Sequence, residues 1–311
     1  GRQKRGIGMK LAVIGGAGLL GSTAAFCAGG MDVLEEIRLL DIRENMTMSH
    51  VMDMDQALSS CSRTKVTKGD YKRLEDCELI LITASVPETG TGTRDSYLQA
   101  NRDIVTEICS KLRGLNQNHV IINAVNPVDV INVVIQDCTG LGRRQIIGFS
   151  ANDTLRLKWA VAKVLNIGAD RVDAVCLGEY GEKTVPLFSR IFIDQKHVRL
   201  DARQKEAVLL ETRSWFSRYQ ALQSGRTSGW TSGVQLARII AAIASDSGQV
   251  LPCSVILDGE YGYRAVSVGV PARLGARGIT EIMELALSGE EQGQLDGAVK
   301  KIHSLLQSIR N

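Results

Sequence analysis

Proline is scarce, with five in 311 residues, and no Pro-, Gly- or Ser-rich linker interrupts the chain, so its parts are expected to pack tightly. Aromatics make up only 5% and the formal net charge is only +3. Nucleic-acid binding needs a basic face with interleaved aromatics, and the one basic cluster, residues 2–5, precedes all expected structure. Nucleic acid is therefore excluded as a partner. Paired cysteines are also missing: Cys27, Cys61, Cys77, Cys109, Cys138, Cys176 and Cys253 are odd in number, widely spaced and form no C-x-x-C pair. That excludes a disulfide framework or a metal site and points to a reducing, cytoplasmic compartment. The uncharged stretch 11–31 carries six glycines and splits into a short apolar run and a separate helical stretch. It reads as neither a signal peptide nor a membrane span, and no membrane partner is expected.

What is present suits two domains, since 311 residues with 44% apolar content can bury large cores. The first half alternates β-branched runs (11–14, 37–40, 79–83, 120–123, 146–147) with amphipathic stretches beginning near Leu19, Met46, Asp95, Val128 and Asp153. This alternation predicts right-handed β-α-β units, hence an α/β fold with a Rossmann-type doubly wound parallel sheet. Beyond residue 150 the texture changes to one strand at 172–177, a hairpin at 191–198, helices at 202–222 and 234–244, strands at 254–257 and 265–270, and a last helix from Glu290. The expected division is a dinucleotide-binding domain at 1–149, with 1–8 a disordered arm or expression remnant, and an α+β substrate domain at 150–311.

The segment GGAGLLG at 15–21 follows the first strand. It reads either as Gly16-x-Gly18-x-x-Gly21 or as Gly15-x-x-Gly18-x-x-Gly21. Either way, glycines allow a tight turn, close backbone approach to a pyrophosphate, and helix-on-strand packing. The helix N-terminus at Leu19 and Leu20 favours phosphate charge. Asp41 closes the run IRLLD about twenty residues later, where a carboxylate accepts from ribose hydroxyls and repels a 2′-phosphate. NAD is the expected cofactor.

Five further segments, in order, carry a resemblance: TASVPETGTGTRDSYLQAN (83–101), NAVNPVDV (123–130), IIGFSANDTLRLK (146–158), LGEYGEKTVP (177–186) and GRTSGWTSG (225–233). Together with the glycine fingerprint they resemble the lactate/malate dehydrogenase family across nearly the whole chain. The resemblance implies hydride transfer between NAD and a carboxylate-bearing 2-oxo acid. It implies Arg156 as the carboxylate anchor, Arg94 as the loop arginine that polarises the carbonyl, and Asn126 as a group orienting nicotinamide and substrate oxygen. Ser228 would line the pocket, Thr83 and Ala84 would adjoin the cofactor, and the assembly would be a homodimer or homotetramer.

Two positions depart from the family. Its GEHG histidine, the proton donor, is Tyr180 here, and His50, His119, His197 and His303 all lie outside the matched motifs. A phenol, with a reference pKa near ~10 against roughly 6.5 for imidazole, donates a proton readily only in the reductive direction. Asp153, which in the family supports the histidine, is left without that partner, and Lys183 reads as a surface charge. Glu88 falls at the specificity position, where malate dehydrogenases carry arginine. Two carboxylates lacking their usual partners favour a substrate other than malate, carrying a cationic group beside its carboxylate. Three functions are consistent with this: reduction of such a 2-oxo acid with Tyr180 as proton donor, reduction of a 2-imino acid, and NAD binding without catalysis.

Overall fold

The computed structural model describes residues 8–87, 97–224 and 228–310. Its elements, in chain order, are β1 (Met9–Ile14), α1 (Leu19–Gly30), β2 (Leu34–Leu40), α2 (Glu44–Leu58), β3 (Lys65–Lys68), β4 (Leu79–Ile82), α3 (Leu98–Lys111), β5 (Val120–Asn123), α4 (Val128–Thr139), β6 (Ile146–Phe149) and α5 (Ala151–Leu165). There follow β7 (Val172–Asp173), β8 (Cys176–Gly178), β9 (Thr184–Pro186), β10 (Phe192–Ile193), β11 (Lys196–His197), α6 (Ala202–Ala221) and α7 (Trp230–Ala244). The chain closes with β12 (Val250–Asp258), β13 (Arg264–Gly275), β14 (Gly278–Ile282) and α8 (Gly289–Arg310).

Six strands pair in parallel in the order β3-β2-β1-β4-β5-β6. Helices cover both faces, so the central strands read as unbroken apolar runs such as LILI in β4, where all four residues are buried. Each such side chain contributes on the order of 2 kcal/mol when fully buried. Strand order reverses between β1 and β4, and the carboxyl ends of these neighbours flank a crevice, which is where ligands bind in open α/β sheets.

The sheet does not stop at the end of the first half. β6 pairs antiparallel with β12, and β13, β8 and β9 follow, with β14 alongside β13. The expected single strand at 172–177 is in fact two. β7 joins a separate three-stranded sheet with β10 and β11, whereas β8 joins the large one, so the chain changes sheets at Ala174 and Val175. β3 escaped the sequence reading because it is a four-residue edge strand with only Val66 buried. α7 lies on α1, and small residues set the closeness: a Cβ on Gly233 would stand 2.8 Å from Thr23 Cβ. That contact brings part of the second half over the glycine turn. The start expected near Asp95 lies outside the described residues.

Candidate active site

The site starts at the turn after β1. Gly15 has φ +92°, and a Cβ there would lie 2.6 Å from the Ala84 nitrogen, so both conformation and space demand glycine. A Cβ on Gly21 would collide with the Gly15 carbonyl and stand 2.8 Å from Thr83 Oγ1. Thr83 Oγ1 donates to the carbonyls of Ile14 (3.1 Å) and Gly15 (3.2 Å), pinning the segment after β4 against the glycine turn. Gly16 sits behind the turn: its N–H bonds Leu40 O, and a Cβ would touch Leu39, so it faces β2 and not the cleft. Of the two glycine readings, the geometry thus gives Gly15, Gly18 and Gly21 the cleft-facing role.

Asp41 follows β2. Its Oδ2 accepts from the Ala17 N–H (3.1 Å), and its Oδ1 accepts from the Arg43 N–H (3.0 Å) and from Arg43 Nε (3.3 Å). The carboxylate ties the first two βα turns together at the cleft wall. α1 begins at Leu19 with no side-chain cap at Gly18, so its first N–H groups face the crevice. A cleft of about 1220 Å³ runs from Asp41, past Gly15, Gly18, Leu19, Leu20, Gly21, Thr83 and Ala84, to Asn126, Arg156, Tyr180 and Ser228. An uncapped helix N-terminus and a strand-end carboxylate at the two expected places fit an NAD molecule.

At the far end the two halves of the chain meet. Asn101, nearly fully buried, donates to Asn126 O (2.7 Å) and accepts from the Val86 N–H (2.9 Å), so it clamps the segments following β4 and β5. Tyr180, 8% exposed, is fixed from several sides. Its N–H donates to Asp129 Oδ2 (2.8 Å), its hydroxyl oxygen accepts from Asn152 Nδ2 (3.1 Å), and its ring meets Phe149 edge-on at 5.9 Å. Asn152 Nδ2 also donates to Ser232 Oγ (2.7 Å) on α7. Asp129 is held by the Ser254 hydroxyl as well. Burial, together with the negative Glu179 and Asp153, pushes its carboxyl up to about 7, against the opposing bonds from Ser254 and the Tyr180 N–H.

Arg156 lines the cleft with its guanidinium 4.6 Å from the Trp215 ring centre, and Nη1 lies 3.2 Å from Asp153 Oδ1. Asp153, without the imidazolium partner it has in the family, is paired instead with this arginine. One helical turn of α5 separates residues 153 and 156, and the carboxylate finds the arginine there. Asp153 does not line the main cleft; it borders a cavity of about 10 Å³ that Tyr180, Cys176 and Thr184 also line. Glu88 and Arg94 lie outside the described residues. None of the four histidines lines the cleft, and Lys183 is exposed away from it. His119 is buried, its ring between the Asn116 N–H and Glu75 O. Sequence reasoning missed Asn101, Asp129, Asn152 and Ser232. All four fall within the matched segments, but only the folded contacts single them out.

Among the described residues no group of three His, Cys, Asp or Glu is placed to hold a metal, and no helix is long and apolar enough to cross a membrane. Two family models match. The lactate/malate dehydrogenase, NAD binding domain, covers residues 9–148, and the lactate/malate dehydrogenase, alpha/beta C-terminal domain, covers 152–311. The malate dehydrogenase of Haloferax volcanii is 31% identical over 303 residues, 96% of this chain and 99% of that one. L-lactate dehydrogenase 1 of Bacillus cereus is 27% identical over 312 residues, 97% of this chain and 99% of that one. The crystal structure of Cryptosporidium parvum malate dehydrogenase shares the fold with a TM-score of 0.92 at 24% identity, covering 97% of this chain and 99% of that one.

Proposed function

This chain belongs to the lactate/malate dehydrogenase family and is an NAD-dependent dehydrogenase, and on that premise we propose that it reduces a carboxylate-bearing 2-oxo acid other than malate, with Tyr180 as proton donor. The observation that carries this reading is that Arg156 and Tyr180 line one cleft with the glycine turn. Arg156 binds the substrate carboxylate; its guanidinium plane, braced by Trp215 and Asp153, presents paired N–H donors. Gly15, Gly18, Leu19, Leu20 and Gly21 hold the cofactor pyrophosphate, and Asp41 the adenosine ribose. Thr83, Ala84 and Asn126 face the nicotinamide end. Bound NADH supplies the hydride. As the carbonyl carbon takes that electron pair, its oxygen takes the proton of the Tyr180 hydroxyl, and solvent water returns a proton to the phenolate. Arg94 polarises the carbonyl in this reading, and Glu88 sets preference at the substrate's far end. With Asp153 paired to Arg156, Glu88 alone carries the argument for a cationic substrate.

The test is NADH oxidation with neutral, acidic and cationic 2-oxo acids, each with and without ammonium or an amine. Turnover without amine, lost roughly 10²- to 10⁴-fold in Tyr180→Phe with NADH binding retained, is the expected result. Turnover only with amine would replace C=O by C=N reduction. Silence with NADH bound would leave cofactor binding without catalysis, and oxaloacetate as the preferred acid would overturn the exclusion of malate.

A further inference from the structure

Asn152 is the second residue of α5 and is 2% exposed. Its amide nitrogen donates to the hydroxyl oxygens of both Tyr180 (3.1 Å) and Ser232 (2.7 Å). Its Oδ1 is buried and has no hydrogen-bond partner among the described residues. Ser232 Oγ itself donates to Ser228 O (3.2 Å), so its proton is committed and the amide meets it with N–H. Oδ1 is then a buried acceptor left unmet, which is unfavourable and calls for a reason on the Tyr180 side.

The charge that each kind of acid acquires supplies one. An imidazolium is positive before it gives up its proton, so a carboxylate neighbour supports it. A phenol turns negative afterwards, and a carboxylate would oppose that change, whereas an N–H aimed at the oxygen supports it. The adjacent side chains divide accordingly. Asp153 turns to Arg156 at 3.2 Å, and Asn152 turns its N–H to Tyr180.

We propose that Asn152 is the positioning residue for Tyr180, its side-chain N–H fixing the phenolic oxygen at the cleft and stabilising the phenolate left by proton donation. Asn152 acts through Tyr180 and not on the substrate, and its catalytic meaning rests on Tyr180 being the proton donor. An aspartate placed at 152 would accept the phenol proton and repel the phenolate, the opposite of what an amide N–H does.

The test reads Tyr180 directly, by NMR titration of protein labelled with ¹³C at the tyrosine ring carbon bearing the hydroxyl, with Tyr180→Phe assigning the signal among six tyrosines. Asn152→Leu is expected to lower the acid dissociation constant of Tyr180 about tenfold, and Asn152→Asp to lower it further. Ser232→Ala, which removes only the other acceptor, leaves it in place. An unchanged constant in Asn152→Leu, or an increase in Asn152→Asp, overturns the proposal. With Asn152 intact, Tyr180→Phe should also move the Asn152 side-chain amide signals. If they stay fixed the proposal fails, even where the Asn152 variants do not fold. In turnover, Asn152→Leu lowers kcat with KM little changed, and the alkaline limb of its pH profile moves with the titration. The titration needs no substrate, so a silent 2-oxo acid panel beside a shifted constant would sink the proposed function and leave the positioning role standing.

Discussion

At position 180 the backbone and the side chain answer to different elements. The N–H bonds Asp129 on α4, and the hydroxyl oxygen bonds Asn152 on α5. Asp129 is 2% exposed, and burial raises its carboxyl from 3.8 to about 7. The folded protein thus holds this proton more tightly than the unfolded chain does. The resulting stabilisation is fully present below the unfolded value and is lost as pH rises through about 7. Between about pH 5 and pH 8 this one group should cost the fold roughly 2–3 kcal/mol. Urea unfolding of the parent and Asp129→Asn at both pH values checks it: the parent loses stability relative to the variant at the higher pH. Equal pH slopes for the two proteins would show that Asp129 is not the group responsible.

At the scale of elements, the glycine turn and α1 stand or fall together. A methyl group at Gly21 meets the Gly15 carbonyl and Thr83 Oγ1, both fixed by the β1 and β4 ladders, so neither can yield cheaply. Gly21→Ala is expected to destabilise by about 1–3 kcal/mol, read by urea unfolding, and to weaken NADH binding by tilting α1 away from the turn. Unchanged NADH affinity would mean that α1 does not hold the pyrophosphate. A second element, α8, reaches the loop after β8. Its Lys301 Nζ lies 2.9 Å from the buried Glu179, whose other oxygen accepts the Lys183 N–H. Among the described residues, Lys301→Ala leaves that carboxylate with only its backbone donor and should destabilise the protein by about 1–3 kcal/mol, measured in the same way. If stability is unchanged, solvent reaches Glu179 well enough to replace the lysine.

For the whole molecule, the continuous sheet and the seating of α7 on α1 make the cleft a joint product of both halves. A ligand in it should stabilise them together: NADH at about 100 times its Kd adds on the order of 2.7 kcal/mol and raises the unfolding midpoint. NADPH at equal concentration should raise it less, because Asp41 meets the 2′-phosphate with a like charge. Equal shifts would mean that Arg43, bonded to Asp41, offsets that repulsion. The sequence by itself determined the alternation of strands and helices, the glycine-rich turn at 15–21, Asp41 after β2, and the family. These rest on local demands, since periodicity, turn geometry and close backbone approach are written within a few residues of one another. It also placed Tyr180 and Arg156 in the motifs that meet at the cleft. Only the tertiary structure decided which partners those residues take. Asn152 pairs with Tyr180 and Ser232, and Asp129 supports Tyr180 from a helix 51 residues back in the chain. Hydrogen-bond partners at such separations follow from how α4, α5, α7 and β8 pack, and no spacing in the sequence encodes the distance between their side chains.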